Sequence, residues 1–352
     1  MMTVATNIQV DVIILSWNRP DDTIAAIASA AEQEGVRQRI LIVDQGSEAD
    51  NLRQLEAYLA GVPNATLKKL GRNSGVAGGR NIASAMGSAP IIVALDSDAI
   101  FADRHALAVA VAHLDSHPEL CAIGFRIDNY YTGENDATAW DYPPGCRPDT
   151  GFPTTRFMGG GHALRRSVFE AVGAYDDRLF FCGEEVDLCY RMLNTGYRIA
   201  YVPEVAIRHK SSPEQRVVWG RGRYYYTVRN NLYSAYKFGT PLPRLLLGAF
   251  AFVARGLRNR ILPSALRGLV DAWGMCRAYR EGLDLEKRSG GSDNRVYALD
   301  RETWRYIHQC EPTRLEPLFA KVRRQFTRLP HSATAVTPNR LSEGGLGREH
   351  HQ

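Results

Sequence analysis

Three short apolar runs, each closed by a polar residue, constrain this chain more than any other feature. Val10–Trp17 (VDVIILSW) runs into Asn-Arg-Pro, Arg39–Asp44 (RILIVD) into Gln-Gly-Ser, and Pro90–Leu95 (PIIVAL) into Asp-Ser-Asp. Runs apolar on both faces, rich in Val and Ile, read as buried strands. Thr66–Leu70 reads as a further strand. Helical patterns fill the gaps: from Pro20, with two aspartates after it, to about Glu34; about 50–60; and Gly79–Met86. Pro at a helix start and acids in its first turn both fit an N-terminus. Strands alternating with helices predict a parallel sheet with right-handed crossovers. Such a sheet binds ligands beyond the carboxyl ends of its strands, where Asn18, Asp44 and Asp96 fall.

The chain has 352 residues, 45% apolar and 23% charged, which suits a folded protein of one large α/β domain with an appendage. After the strand region, 129–157 turns loop-like and aromatic. Helices fit Arg166–Val172 and Glu185–Leu193, the second closed by Gly196, and a strand fits Arg198–Val202. Beyond Pro213 the pattern is helical and basic to about Glu286. The expected organisation is a catalytic domain over 8–212, divided near 128, a helical extension over 213–328, and a disordered tail from 329. The six cysteines form no C-x-x-C pair and read as reduced thiols. The N-terminus shows no signal-peptide pattern, and no apolar run reaches the roughly 18 residues a membrane span needs. These features predict a cytoplasmic chain.

Net charge is +5, yet residues 205–260 hold eleven Lys/Arg against one acid, Glu214. Such a block calls for an anionic partner: a diphosphate, lipid head groups or nucleic acid. No nucleic-acid motif accompanies it, so nucleic acid is the weakest of the three.

Asp96-Ser97-Asp98 follows a strand directly, so its two carboxylates can project toward one point. Mg²⁺ or Mn²⁺ needs such oxygen ligands, with a diphosphate supplying more. A solvated acidic turn is the plain alternative. Asp44 sits where a nucleobase edge would lie, or is simply a turn aspartate. Gly75, Gly78 and Gly79 allow close backbone approach to a ligand, and Arg80 offers a cation to phosphate; otherwise they form a flexible loop at a helix start. Gly160, within Gly159-Gly160-Gly161, lets a ligand approach the main chain, or belongs to a tight turn. Trp140, Tyr142 and Trp219 are acceptor-stacking candidates or core residues.

Taken together these segments have a family likeness. Asp44-Gln45-Gly46-Ser47 resembles the VD-[NQ]-GS stretch of family 2 nucleotide-sugar glycosyltransferases. Gly71–Asn81 (GRNSGVAGGRN) resembles their N-x-G-x-(A/G)-x-A-R-N segment, and Phe181–Arg191 (FCGEEVDLCYR) their E-D-x-D-L-C-x-R motif. With Asp-Ser-Asp these make four motifs in order across residues 10–210. The resemblance implies the GT-A fold, a Rossmann-like, mostly parallel sheet flanked by helices, and an inverting mechanism. It also implies donor contacts from Ser16, Asn18, Asp44, Gly75, Arg80, Asp96, Ser97, Asp98 and Gly160, with Asp44 on a uracil or thymine N–H. Metal ligands would be Asp96, Asp98 and His209. Arg208 and Lys210 would neutralise the departing diphosphate.

This chain departs from the motif at the base, where glutamate replaces aspartate. Glu185 is the expected base, with Glu184 as the fallback and Asp187 bracing the helix start. A helix N-terminus favours the ionised carboxylate that a base must be.

The expected reaction moves a sugar from a UDP- or dTDP-sugar to the hydroxyl of a glycan, a lipid-linked molecule or a small molecule. The likeness of RNNLYSAYKFG to the rhamnosyltransferase branch points to rhamnose. Two rivals stand beside it: a sugar-phosphate nucleotidyltransferase, which would want a glycine-rich basic loop after the first strand, and a degenerate sugar- or membrane-binding subunit. Leu245–Ala254 (LLLGAFAFVA), flanked by Arg244 and Arg255, is either a core helix or an interfacial one resting on an anionic inner leaflet.

Overall fold

The computed structural model describes residues 9–210, 222–288 and 298–310. The first strands and helices come where the apolar pattern puts them: β1 (Val10–Ser16), α1 (Pro20–Ala31), β2 (Gln38–Asp44), α2 (Ala49–Leu59), β3 (Ala65–Lys69), α3 (Gly75–Ser84) and β4 (Ile91–Leu95). Then follow β5 (Ala99–Phe101), α4 (Ala106–Ser116), β6 (Leu120–Asn129), β7 (Phe152–Thr154), β8 (Gly161–Arg165) and α5 (Arg166–Ala171). A 3₁₀ turn (Asp177–Leu179) leads to α6 (Glu184–Leu193) and β9 (Arg198–His209). The C-terminal part is helical: α7 (Arg223–Lys237), α8 (Leu242–Arg258), α9 (Leu262–Arg288) and α10 (Arg301–Cys310).

One sheet of the order β3-β2-β1-β4-β8-β6-β9-β5 runs through the described residues, with β7 added alongside β9. The strands β3, β2, β1 and β4 are mutually parallel, as the apolar runs predict, and β6 pairs parallel with β9. Strands β5, β7 and β8 are antiparallel insertions, so the sheet is mixed and not parallel throughout. Period-two alternation sends Val10, Val12 and Ile14 of β1, and Ile91, Val93 and Leu95 of β4, to one face under α1, α2 and α4. The residues between them, Ile13, Ile92 and Ala94, pack on α3, α5, α6 and α10. The result is a three-layer sandwich with its loops gathered at the carboxyl end of β1, β2 and β4.

Several elements escape the sequence pattern. Helix α4 is Ala- and Val-rich with five buried positions, so it shows little polar contrast. Helix α3 begins at Gly75, four residues before the expected Gly79, because Gly75 adopts φ +76° and Val76 N–H donates to Phe180 O at 2.6 Å. The Gly159–Gly161 run ends in a strand, since a Cβ on Gly161 would lie 2.7 Å from Ile207 and 2.9 Å from Phe125. The expected boundary at residue 212, Trp219 and the tail from 329 lie outside the described residues.

Helix α7 locks the C-terminal part onto the sheet domain. Lys237, 4% exposed, pairs with Asp176 at 2.9 Å and Asp187 at 2.7 Å, and Asp187 pairs with Arg191 at 2.8 Å. Removing one member of such a buried ion cluster costs about 3–5 kcal/mol, because it strands a charge away from water.

Candidate functional site

The carboxyl ends of β1, β2 and β4 and the last residue of β9 meet in one place. Asp96 N–H donates to Gly160 O at 3.1 Å, which fixes Asp96 beside the β8 entrance. Ala99 pairs with His209 across β5 and β9, so the end of β9 brings its imidazole to Asp98. Asp96, Asp98 and His209 each offer a ligand atom, all within 4.8 Å of one another. Two carboxylate oxygens and one imidazole nitrogen fit a divalent cation with room left for diphosphate oxygens, and the imidazole tilts the set from Mg²⁺ toward Mn²⁺. His209 Nε2 lies 3.2 Å from Asp98, and its Nδ1 lies 3.4 Å from Asp136, a buried carboxylate that orients the ring. Burial opposes a charge on His209, but hydrogen bonds with Asp136 and Asp98 outweigh it and raise its pKa to about 10.

Two arginines balance the acids. Arg19 donates to Asp98 at 2.8 Å. Arg80, almost wholly buried on α3, donates to Glu185 at 2.9 Å, to Asp96 at 3.0 Å and to Gly159 O at 2.7 Å. A single guanidinium thus ties the expected base to the first acid of the Asp-Ser-Asp turn. The sequence offers Arg80 as a cation for phosphate; in the fold its donors meet two carboxylates and a carbonyl.

The two glutamates of α6 differ sharply. Glu185 keeps part of its carboxylate accessible and reaches the cluster through Arg80. Glu184 is 2% exposed and one of its oxygens has no hydrogen-bond partner. Burial, with Glu185 beside it, pushes the Glu184 pKa well above the carboxylate range, so it is held protonated. A protonated carboxyl cannot take a proton, which favours Glu185. Asp187, fully buried between Arg191 and Lys237, braces the helix as the sequence suggested and has no reach to a reacting group.

Other expected residues sort by what their atoms touch. Asp44 is buried; its Oδ1 accepts from Gly46 and Ser47 N–H at 3.1 Å, and its Oδ2 from the Ser47 hydroxyl. Asn18, exposed at φ +54°, donates its N–H to the Ser47 hydroxyl oxygen at 2.9 Å, and its Oδ1 accepts from Glu48 N–H at the start of α2 at 2.7 Å. Ser16 is 2% exposed, with its hydroxyl 3.3 Å from that of Thr23 on α1. Gly75 and Gly79 make close approaches to protein, not to open space: a Cβ on Gly75 would meet Phe180 O at 2.4 Å, and one on Gly79 would meet Leu15 at 3.0 Å. Ser97 lies half-buried between the two acids, and a Cβ on Gly160 would lie 3.8 Å from Asp96 Oδ2. Lys210 pairs with Asp22 at 2.8 Å. Trp140 stacks edge-on with Tyr142, Phe152 and Tyr201 and is committed mainly to that aromatic cluster.

Comparison with known proteins bears on the family and the fold. The sequence profile described as Glycosyl transferase family 2 matches residues 11–173. Residues 11–173 are a family 2 glycosyltransferase domain. The glycosyltransferase is 27% identical over 187 residues to the O-antigen chain rhamnosyltransferase WbaN of Salmonella anatum, a stretch of 49% of this chain and 56% of that one. It is 27% identical over 175 residues to an uncharacterized protein of Haemophilus influenzae, covering 47% of this chain and 91% of that one. Its fold is GT-A: the mannosyltransferase PcManGT of Pyrobaculum calidifontis, solved with GDP-Man and Mn²⁺, superposes with a TM-score of 0.53 at 19% identity, over 83% of this chain and 86% of that one.

The structure also adds Arg19 and Asp136, which the sequence does not single out, and gives Gly159 of the glycine run a specific contact. Arg19 directly follows Asn18 at a strand end, a position that could have drawn attention. Gly159 carries a sharper message, because a Cβ there would lie 2.4 Å from Glu185 Oε1. The clash is with a flexible side-chain end, so Gly159→Ala should fold normally and push the Glu185 carboxylate aside. We expect turnover to fall by about ten- to a hundredfold, since small misplacements of a reacting group have effects of that order. Unchanged turnover at an unchanged melting temperature would detach Gly159 from the glycosyltransferase's chemistry.

Proposed function

We propose that this glycosyltransferase moves a sugar from a nucleoside diphosphate donor to an acceptor hydroxyl with inversion, with Glu185 as base. The observation that carries the reading is the Arg80 guanidinium shared by Glu185 and Asp96, which sets a base directly beside a candidate metal centre. Asp96, Asp98 and His209 would hold Mn²⁺ or Mg²⁺, which when bound offsets the charge developing on the leaving diphosphate. Glu185 takes the acceptor hydroxyl proton as that oxygen bonds to the anomeric carbon from the face opposite the diphosphate. The bond from that carbon to the diphosphate oxygen breaks, and the nucleoside diphosphate departs. A UDP- or dTDP-linked deoxyhexose such as rhamnose is the favoured donor, on the likeness to an O-antigen rhamnosyltransferase. A panel of UDP-, dTDP- and GDP-sugars with Mn²⁺, read by nucleoside diphosphate release, tests this. Release from none of them, with any glycan or lipid-linked acceptor, would favour a degenerate sugar-binding subunit instead.

A surface feature suggests where the acceptor lies. Leu242, Leu246, Phe250 and Leu257 of α8, and Leu266, Val270 and Trp273 of α9, are all about half or more exposed. On α8 they recur at helical spacing, beside the exposed Arg244, Arg258 and Arg260. No described helix is long and apolar enough to cross a membrane. An apolar stripe on a helix that also carries exposed arginines suits the surface of an anionic bilayer, with the apolar side chains inserted and arginines at head-group level. Such a seat would bring the site near a lipid-linked acceptor, in line with assembly of cell-surface glycans. Purified protein should co-sediment with phosphatidylglycerol-containing vesicles and not with neutral ones, less so as salt rises. Replacing Phe250 and Trp273 together by glutamate should weaken binding by about tenfold or more. Equal sedimentation of that variant would reject this face as the seat.

A further inference from the structure

The segment that delivers Glu184 and Glu185 is held in an unusual backbone path. Phe180 and Cys182, neither of them glycine, sit at φ +58° and +70°, and Gly183 follows at +93°. Side chains rarely adopt such angles without support from outside the segment. The support is visible carbonyl by carbonyl. Arg229 of α7 donates to Arg178 O at 3.0 Å and Leu179 O at 2.8 Å. The Asn230 Nδ2 amide donates to Leu179 O and Phe181 O at 2.8 Å and to Cys182 O at 2.6 Å. Val76 N–H at the start of α3 takes the remaining one, Phe180 O. Five successive carbonyls, 178 through 182, are therefore each met by a donor from α3 or α7.

Asn230 is the centre of this arrangement. It is 1% exposed, and its own Oδ1 accepts from Arg229 Nε at 2.8 Å, which fixes which end of the amide faces the segment. A buried amide aimed at three carbonyls of a positive-φ segment reads as a device for holding one conformation. That conformation sets the first residue of α6 and the direction in which Glu185 leaves it. Asn230 lies 45 positions downstream of Glu185, and both fall beyond the segment that matches the family.

We propose that Asn230 is a positioning residue for the catalytic base, and that α7 is an integral part of the active site and not an appendage. The inference rests on the reading of Glu185 as the base. In Asn230→Asp the donor nitrogen becomes an acceptor oxygen facing three carbonyl oxygens, so the segment must shift; Asn230→Ala removes the donors without that repulsion. Asn231→Asp is the control, since among the described residues its exposed side chain bonds to Thr227 O of its own helix alone.

The test has two readouts on the full chain. The first is amide hydrogen exchange of residues 179–188 in the presence of UDP and Mn²⁺. The second is nucleoside diphosphate release from whichever donor the wild type uses, split into kcat and donor KM. In Asn230→Ala, and in Asn230→Asp if it folds, exchange should rise at least tenfold. Turnover should fall about ten- to a thousandfold, with donor KM within about threefold of wild type. Asn231→Asp should match wild type in both. Unchanged exchange in Asn230→Ala overturns the inference whatever the base is. Raised exchange with unchanged kcat overturns it differently, by showing that Glu185 is not the base. A rise in donor KM with kcat kept would also overturn it, because it would make Asn230 part of donor binding.

Discussion

Glu185→Gln should leave donor affinity nearly intact and lower turnover by about two to four orders of magnitude, the usual contribution of a general base. The amide is isosteric and can still accept from Arg80, so the bridge to Asp96 through the guanidinium survives in part and the site keeps its shape. What is lost is the ability to carry off the acceptor's proton. Glu184→Gln is the decisive companion. Because burial already holds Glu184 protonated, the substitution exchanges one neutral group for another. Its effect should stay within about tenfold. Single-turnover measurement at saturating donor, with donor affinity taken from ligand-dependent melting, separates the two variants. A large loss in Glu184→Gln with a small one in Glu185→Gln would move the base one residue back and require the α6 N-terminus to open during the reaction.

How much of this was legible in the sequence depends on which physical signal each residue carries. The strand core was readable because Val10–Ser16, Gln38–Asp44 and Ile91–Leu95 are apolar on both faces, a pattern that leaves few alternatives to a buried parallel sheet. The acids of Asp96-Ser97-Asp98 and the Glu184-Glu185 pair were legible for the opposite reason, as charges placed directly at element ends. The antiparallel strands were not readable. Gly161–Arg165 pairs with partners about 70 and 40 residues upstream, and its glycine exists to let Ile207 and Phe125 close over it. Arg80 is legible as a cation, but a sequence does not show that within the fold it faces Glu185, Asp96 and Gly159 O. The contact of the Ser16 hydroxyl with Thr23 was not readable either, because it joins the last residue of β1 to α1. Asn230 lay beyond any local pattern: its role depends on three carbonyls that only the folded chain brings to it.

Asp98→Asn should abolish metal-dependent donor binding while leaving the fold intact. Asp98 occupies the middle of a short relay, taking Arg19 on Oδ2 and His209 on Oδ1, and it is partly accessible, so its loss does not strand a deeply buried partner. With asparagine there, one of the two carboxylate charges of the Asp96, Asp98 and His209 cluster is gone, and a hard divalent cation loses a ligand that neutral oxygen replaces poorly. Removing one first-coordination ligand and its charge should weaken Mn²⁺ binding by more than about a hundredfold, beyond the effect expected even of the residues that orient ligands. Asp136→Asn is that lesser case: it leaves all three ligands in place and removes only the charge behind His209, so it should weaken Mn²⁺ by about ten- to a hundredfold. The order of the two variants therefore carries the argument. Calorimetric titration of Mn²⁺ in the presence of UDP gives both affinities directly. Full donor binding and turnover of the wild type in excess chelator would remove the metal from the reading. Equal losses in the two variants would mean instead that the cluster acts as a hydrogen-bonded scaffold for the Asp-Ser-Asp turn.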